Sequence, residues 1–335
     1  MENIISVLVT TYNQEKTIAR TLDAILAQQC RWPVEIVLAE DGSTDLTPDI
    51  CRQYAQRYPQ RIRLLANEKN KGLNDNYFDA LLQCSGKYIA DCAGDDFWVD
   101  CHKLEKELNI LESHPEVTLV HTDWLYYDET TQNTTAPPPT RFAAPFTPGR
   151  ELIEAMITQT ERPVVHLCTA LFRAETIFDA YHEDTFMFRN KEFGCEDLQM
   201  TTALAYAGVV AFLPEVTLHY SVGHSSVSSQ PDHRRQFLFV RRVTDLSFYM
   251  MRKYHVTADA TTNYFHKRLF ALTMHAFRAN DAILMAEVNE CEKRWGVKKD
   301  LKTRLLGALL RSHALWQLLL YLRKKVRQPF ANSFR

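Results

Sequence analysis

The apolar positions of the first 121 residues fall into two alternating patterns. Short runs of mostly branched apolar residues predict strands at 4–10, 34–38, 62–65, 88–90 and 117–121. Between them, helical spacing or a helix-start signal predicts helices at 14–28, after a Thr47 N-cap, at 74–84 and at 104–111. Strands that alternate with helices predict an α/β fold with a mostly parallel central sheet covered by helices on both faces.

The rest of the chain predicts a loop, a mixed region and a helical end. Residues 130–148 hold five prolines and several threonines, which predicts a long mobile loop. Mixed helix and strand patterns follow at 150–230, and from about Asp232 onward the pattern is helical. The sequence contains no internal repeat that would indicate a solenoid.

Composition narrows the class of protein. The 335 residues are 46% hydrophobic and 24% charged, which is typical of a globular protein with a sizeable core. Eight cysteines are scattered without a Cys-x-x-Cys pair, which argues against a structural zinc site and a disulfide framework. No leader pattern opens the sequence, and no apolar run reaches the roughly 18 residues of a membrane span. We therefore expect a cytoplasmic protein.

The net charge of −2 conceals a basic tail, because residues 302–335 hold eight Lys or Arg and no Asp or Glu. Five apolar residues of this tail fall roughly on one helical face: Leu305, Leu309, Trp316, Leu319 and Leu320. Such a helix can lie on an anionic membrane, which predicts peripheral attachment to the inner face of the cell membrane. The alternative is a terminal helix docked on the rest of the protein. Nothing in the pattern indicates a nucleic acid as partner.

Polar residues follow three of the predicted strands where each strand ends. They lie at 10–14, at 40–45 and at 91–98. In open parallel sheets, ligands bind beyond the carboxyl ends of the strands, so we expect these segments to form one site. The first of them contains no Gly-x-Gly-x-x-Gly, so a dinucleotide site of the dehydrogenase kind is not expected.

Asp95 and Asp96 are the candidate metal ligands of this site. Adjacent carboxylates at the end of a buried strand suit Mg²⁺ or Mn²⁺, which proteins commonly share with substrate phosphates. A solvated turn or a helix cap is the alternative interpretation of such a doublet.

Four segments, in this order, resemble the family-2 glycosyltransferases of bacterial type. They are Ser-Val-Leu-Val-Thr-Thr-Tyr-Asn-Gln-Glu-Lys-Thr-Ile, Leu-Ala-Glu-Asp-Gly-Ser-Thr-Asp, Asn-Lys-Gly-Leu-Asn-Asp-Asn and Gly-Lys-Tyr-Ile-Ala-Asp-Cys-Ala-Gly-Asp-Asp-Phe-Trp. The resemblance implies the GT-A fold and an inverting hexosyl or N-acetylhexosaminyl transfer. It also implies a nucleotide diphospho-sugar donor, commonly UDP-linked, and a glycan or lipid-linked acceptor in surface polysaccharide or lipopolysaccharide synthesis.

The same resemblance assigns seven residues to the donor: Thr10, Thr11, Tyr12, Asp41, Asn70, Asn76 and Asp95. Tyr12 is expected to stack on the nucleotide base, and Asp41 is expected to bond with it. Asp95 and Asp96 match the metal-binding acids. The family pattern usually has acids where this chain has Ala93, and aspartate where it has Glu40.

A second acid pair, Glu196 and Asp197, precedes a predicted helix in the second half of the chain. Helix capping is one explanation for such a pair. The resemblance implies instead that Asp197 is the catalytic base, while Glu196 holds the acceptor or the helix end. The segment 218–228 resembles a family stretch in which a histidine can complete the metal shell. This makes His224 a candidate ligand, although Ser221 stands where the family has arginine.

These assignments predict a nucleotide-sugar-binding half at 1–125, an acceptor-binding half at 126–230 and a helical region with a basic tail at 231–335. Two other functions stay open at this point. A sugar nucleotidyltransferase would need a glycine-rich, basic phosphate loop after the first strand, and residues 10–14 provide none. A non-catalytic scaffold that binds a nucleotide sugar would show no turnover of the donor.

Overall fold

A computed structural model describes residues 2–140, 142–158, 162–223, 232–256 and 258–310. The chain divides into two compact units. The first comprises Met1–His224 with Asp245–Val256, and the second comprises Ser225–Thr244 with Thr257–Arg335. The candidate ligand His224 and the tail beyond residue 310 lie outside the described residues.

Ten strands form the sheet of the first unit. They are β1 Glu2–Thr11, β2 Val34–Glu40, β3 Ile62–Ala66, β4 Gly86–Asp91, β5 Phe97–Trp98, β6 Val117–Asp128, β7 Thr134–Thr135, β8 Phe146–Pro148, β9 Leu171–Arg173 and β10 Val209–Val222. The five predicted strands are confirmed, and β6 extends seven residues past its predicted end at 121. Two of the short strands, β7 and β8, lie within the predicted loop at 130–148.

Twelve α-helices are described. They are α1 Ile18–Leu26, α2 Thr47–Arg57, α3 Leu73–Leu81, α4 Lys103–Ser113, α5 Ile153–Thr158, α6 Ala174–Glu183, α7 Thr185–Arg189, α8 Asp197–Ala207, α9 His233–Lys253, α10 Ala258–Arg278, α11 Ala282–Trp295 and α12 Leu301–Leu310. The predicted N-cap at Thr47 is wrong, because Thr47 is the first helical residue and Leu46 occupies the cap position. The Thr47 hydroxyl instead accepts a hydrogen bond of 2.8 Å from the Gln14 amide.

The strand order is β3-β2-β1-β4-β9-β6-β10-β5, with β7 beside β6 and β8 beside β10. The pairs β3–β2, β2–β1, β1–β4 and β6–β10 are parallel. The short strands β5, β7, β8 and β9 pair antiparallel with their neighbours. The sheet is therefore mixed, and its longest ladders are the parallel ones.

The core of the first unit explains why the centre of β1 is mostly apolar. Ile5, Val7, Leu8 and Val9 are all fully buried, which is the pattern of a strand enclosed on both faces. Helix α1 adds a stripe of buried apolar side chains from Ile18 to Ile25. Because the core holds β1 and α1 rigidly, the loops at their ends have fixed starting points.

The second unit contains α10, α11 and α12. Asp281 caps α11 by accepting hydrogen bonds from the amides of Ile283 and Leu284, and Gly296 ends it with a φ of 67°. Within the described ranges, no helix combines the length and the apolar character that crossing a membrane requires.

Candidate active site

The loops that follow β1, β2 and β4 are joined by main-chain hydrogen bonds. The carbonyl of Thr10 accepts from the Gly94 amide at 3.0 Å, and the carbonyl of Thr11 accepts from the Asp41 amide at 3.0 Å. The three polar segments predicted to form one site therefore lie together at one edge of the sheet.

The acidic loop is the segment after β4 that carries Asp95 and Asp96. Gly94 is the residue that lets this loop approach β1 so closely. A Cβ atom at position 94 would lie 2.4 Å from Oε1 of Gln14 and 2.9 Å from Cβ of Thr11. Any larger residue would push the loop away from β1, so the glycine before the doublet sets the position of Asp95 and Asp96.

Asp41 is buried, and its carboxylate orders the segment after β3. Oδ1 accepts from the amide of Lys71 at 2.8 Å and from Nδ2 of Asn67 at 3.0 Å, while Oδ2 accepts from the amide of Gly72 at 3.0 Å. Asn76 supports the same segment, since its Oδ1 accepts from Asn67 Nδ2 at 2.8 Å. The predicted contacts of Asp41 and Asn76 with a nucleotide stay predictions.

Three other predicted donor residues line this edge. The Tyr12 ring is 44% exposed and accessible to a stacking base. Thr11 Oγ1 is buried and has no hydrogen-bond partner. Asn70 is exposed, and its amide nitrogen would lie 2.7 Å from a Cβ placed on Gly42. Asn70 thus lies against the loop that follows β2.

Asp96 is the most unusual carboxylate of the edge. It is 1% exposed, Oδ1 accepts from the Ser221 amide at 2.9 Å, and Oδ2 has no partner among the residues that the structure describes. Burial, and next the neighbouring charge of Asp95, raise the pKa of Asp96 well above its usual range. An orphaned, desolvated carboxylate oxygen beside a second carboxylate is a chemical fit for a hard divalent cation.

The protein alone supplies few ligands for such a cation. Across the described ranges, no group of three or more His, Cys, Asp or Glu side chains forms a metal cage. Mn²⁺ or Mg²⁺ held by one or two carboxylates and completed by substrate phosphates needs no such cage. Asp95 and Asp96 fit that second type of site.

The acid pair Glu196 and Asp197 lies at the start of α8. Glu196 occupies the cap position but makes no side-chain cap bond within the described part of the chain, which removes the capping explanation for this residue. Asp197 begins α8, and its Oδ1 accepts from the Leu198 amide at 2.7 Å. The Asp197 residue is exposed, yet desolvation by surrounding protein raises its pKa. Asp197 is therefore accessible to solvent although protein atoms surround it.

The two acids of this pair interact electrostatically. Burial, and next the charge of Asp197, raise the pKa of Glu196 to about 8. Burial also raises the pKa of Asp197. Both carboxyl groups therefore hold their protons to higher pH than free acids do.

Asp91 is a further acid at this site that the sequence did not single out. It ends β4, is 7% exposed, and accepts a hydrogen bond of 3.5 Å at Oδ1 from the Cys168 thiol. Burial raises its pKa to about 7, and the charge of Asp197 contributes to the rise. The doublet and the acid pair are thus linked through Asp91. An aspartate directly after the apolar residues of a buried strand was the sequence signal that could have identified Asp91.

Tyr220 and His166 form an aromatic wall between the two acidic groups. Their rings are 4.7 Å apart. Burial raises the pKa of Tyr220, and the charges of Asp96, Asp95 and Asp197 add to the rise. Burial lowers the pKa of His166 to about 4, against the opposing charge of Asp95. The imidazole is therefore neutral and lies near the doublet.

Trp98 and Trp124 belong to the core behind this wall. Trp98 is 4% exposed and donates from Nε1 to the Cys168 carbonyl at 2.9 Å. Trp124 is 1% exposed and contacts the His166 ring at 5.2 Å.

The site combines the Asp95–Asp96 doublet and the exposed Tyr12 at the carboxyl ends of neighbouring strands with the acid pair at the start of α8. Polar and acidic groups at this edge of an α/β sheet are typical of a nucleotide-binding enzyme. Residues 6–178 match the profile of glycosyl transferase family 2, which covers more than half of the chain. The chain belongs to that family.

Similar sequences match about two fifths of this chain. An uncharacterized protein of Mycobacterium tuberculosis is 40% identical over 134 residues, which are 40% of this chain and 39% of that protein. The putative glycosyltransferase EpsE of Bacillus subtilis is 39% identical over 126 residues, covering 37% of this chain and 44% of EpsE. The matched regions thus span about two fifths of these relatives.

Solved structures share the fold across most of the chain. TarS 1–349 of S. aureus, in complex with UDP-GlcNAc, is 16% identical with a TM-score of 0.52 and covers 88% of this chain and 93% of its own. The mannosyltransferase PcManGT of Pyrobaculum calidifontis, in complex with GDP-Man and Mn²⁺, is 16% identical with a TM-score of 0.51. That match covers 94% of this chain and 82% of PcManGT. The GT-A-like α/β fold with C-terminal helices is confirmed.

Proposed function

We propose that this protein is an inverting glycosyltransferase that moves a sugar from a nucleotide diphospho-sugar to an acceptor hydroxyl. The observation that carries the proposal is the buried carboxylate of Asp96, whose Oδ2 has no partner among the described residues and which acts on the same Tyr220 side chain as Asp197. The donor-site residues would be those at the edge of the sheet, with Tyr12 against the base. A divalent cation on Asp95 and Asp96 would neutralise charge on the departing diphosphate.

Asp197 takes the proton of the acceptor hydroxyl in the proposed reaction. As the acceptor oxygen attacks the anomeric carbon, its bond to that carbon forms while the bond to the diphosphate oxygen breaks. A single displacement of this kind inverts the anomeric configuration and requires one base. Glu196 keeps its proton at neutral pH because burial raises its pKa to about 8, so it donates a hydrogen bond to the acceptor.

Relatives and structural neighbours support the finer features of the substrate. A UDP-linked donor is supported by the S. aureus TarS structure, whereas the Pyrobaculum neighbour contains GDP-Man. A lipid-linked acceptor is supported by an E. coli relative named as a glucosyltransferase for a diphosphoundecaprenol acceptor, which is 31% identical over 109 residues. We propose a hexosyl or N-acetylhexosaminyl transfer in surface polysaccharide or lipopolysaccharide synthesis, at the inner face of the cell membrane.

The test measures nucleoside diphosphate release from a panel of UDP- and GDP-sugars, with Mn²⁺, with Mg²⁺ and with chelator. The wild-type protein is compared with Asp197→Asn and with Asp49→Asn, which removes an exposed acid from the first turn of α2. We expect Asp197→Asn to lose at least about a hundredfold in transfer while nucleotide binding is retained. NMR of the product should show the inverted anomer. Normal transfer by Asp197→Asn would refute the base, and absence of any donor turnover would favour a scaffold.

A further inference from the structure

One face of α1 binds the main chain of the acidic loop. Thr17, Arg20 and Thr21 are spaced so that their side chains share a helix face. The Thr17 hydroxyl donates to the Gly94 carbonyl at 3.0 Å, Arg20 Nη2 donates to the Asp95 carbonyl at 3.1 Å, and the Thr21 hydroxyl donates to the Asp96 carbonyl at 2.6 Å. Three consecutive carbonyls of the loop are thus satisfied by one turn of helix.

The guanidinium of Arg20 is itself held on several sides. Nη2 donates to Oε1 of Glu129 at 2.6 Å, and the ion pair is partly buried, with side chains 31% and 24% exposed. The guanidinium carbon lies 4.0 Å from the centre of the Phe97 ring. Glu129, which follows β6, and Phe97, which follows Asp96, both restrain the guanidinium. The contact of Arg20 with the Asp95 carbonyl is therefore fixed.

Ser221 completes the connection on the opposite side of the doublet. Its hydroxyl accepts from Arg20 Nη2 at 3.2 Å and donates to the Asp95 carbonyl at 2.6 Å. Its amide donates to Oδ1 of Asp96. Arg20, Ser221 and the doublet therefore form one closed hydrogen-bond network.

We propose that Arg20 and Thr21 are positioning residues that hold Asp95 and Asp96 ready to bind the divalent cation. The inference rests on the proposed function, because it takes the doublet to be the metal site. Two adjacent carboxylates in a buried loop repel each other, and holding their backbone in place lowers the free energy needed to bring them to one cation. Outer partners of this kind typically change metal affinity by about 10–100-fold when they are removed.

The arrangement requires an arginine rather than any cation at position 20. The guanidinium fork binds Glu129 through both terminal nitrogens and still donates to Asp95 and Ser221. A lysine ammonium is a compact point charge, and it cannot span these partners in the same plane. Arg20→Lys therefore keeps the positive charge but removes the combined hydrogen bonds to Glu129, Asp95 and Ser221.

The test measures Mn²⁺ affinity by electron paramagnetic resonance, with Mn²⁺ alone and with UDP added. The variants are Arg20→Lys, Arg20→Met and Thr21→Val, with Arg52→Met as the control because Arg52 is an exposed arginine paired with Asp49 on α2. All are measured well below their unfolding temperatures, so that each protein is fully folded. We expect Mn²⁺ to bind at least about tenfold more weakly to Arg20→Lys and Arg20→Met, and unchanged to Arg52→Met.

Each result decides the proposal. Wild-type affinity in both Arg20 variants would overturn it, and so would wild-type affinity in Arg20→Lys alone, because charge would then suffice. If Arg20→Met does not fold, Thr21→Val decides, since it removes only the hydroxyl that donates to the Asp96 and Gly94 carbonyls, and wild-type affinity in that variant would overturn the proposal. Absence of Mn²⁺ binding to the wild-type protein, with and without UDP, would instead refute the proposed metal site itself.

Discussion

The main-chain amide of Ser221 donates a hydrogen bond of 2.9 Å to Oδ1 of Asp96. The other oxygen of this buried carboxylate, Oδ2, has no partner among the described residues. Neutral donors compensate little of the cost of burying a charge. The carboxylate is therefore poorly stabilised in the absence of a cation, and this has a measurable consequence.

Asp96→Asn should separate stability from metal binding. The amide oxygen of asparagine can still accept from Ser221, while the buried charge is gone. We expect the metal-free variant to be at least as stable as the wild type, because burial raises the pKa of Asp96 well above its usual range. Mn²⁺ should no longer raise its unfolding temperature, whereas it should raise that of the wild type by mass action. Thermal unfolding with Mn²⁺ and with chelator measures both effects.

Asp49→Asn is a suitable comparison for that experiment, because it removes an exposed carboxylate from α2. It should retain the Mn²⁺ response of the wild type. A large loss of stability in metal-free Asp96→Asn would show that Asp96 supports the fold rather than a cation.

Asp91 should make the protein less stable as the pH rises. Burial raises its pKa from 3.8 to about 7, so between these values the folded state keeps a proton that the unfolded state has lost. The free energy of unfolding therefore falls with rising pH, by up to about 1.4 kcal/mol per pH unit from this group. Asp91→Asn cannot titrate, so its stability curve should be flatter and should exceed the wild type near pH 7–8.

Urea unfolding from pH 5 to pH 8 checks this prediction, and the difference between the two curves reports Asp91 together with its effect on neighbouring acids such as Glu196. Glu196, whose pKa burial raises to about 8, gives a slope of the same sign in both proteins. Parallel curves for the wild type and Asp91→Asn would contradict the prediction.

Gly94→Ala should damage the site more than the fold. The added Cβ would lie 2.9 Å from Cβ of Thr11, so the loop or the end of β1 must shift. We expect weaker binding of Mn²⁺ and UDP, with a loss of about 1–3 kcal/mol in the free energy of unfolding. Gly307→Ala is the control, because position 307 in α12 is open and alanine there should stabilise the helix by up to about 1 kcal/mol. Unchanged binding of Mn²⁺ and UDP by Gly94→Ala would show that the site does not depend on the close approach of the acidic loop to β1.

The sequence predicted the elements whose pattern is local. The centre of strand β1 is mostly apolar, and the acidic segment follows β4, whose residues Tyr88, Ile89 and Ala90 are buried and apolar. Asp197 begins a helix as expected. These features depend on neighbours a few positions apart, which is what periodicity detects.

The features that the sequence did not reveal depend on distant contacts. Strand β5 has two residues and exists because Phe97 and Trp98 pair with β10 more than a hundred positions later. Arg20 follows no motif, and its contact with the Asp95 carbonyl spans 75 positions. Thr47 resembles an N-cap, but its hydroxyl accepts from Gln14 instead. Local propensity cannot anticipate such tertiary partners.

Lys103 and Glu107 form an ion pair in α4 whose side chains are both 0% exposed, with Nζ 2.7 Å from Oε2. Lys103→Met leaves the Glu107 carboxyl group buried without its ion-pair partner. We expect this to lower the free energy of unfolding by about 3–5 kcal/mol. The loss should grow above the usual pH range of glutamate, because the buried group must then take up a proton. The double variant Lys103→Met with Glu107→Leu should recover most of this stability, since it removes both charges. Chemical unfolding of Lys103→Met, Glu107→Leu and the double variant measures the coupling free energy between the two side chains. Purely additive losses in the free energy of unfolding would show that the two side chains act independently.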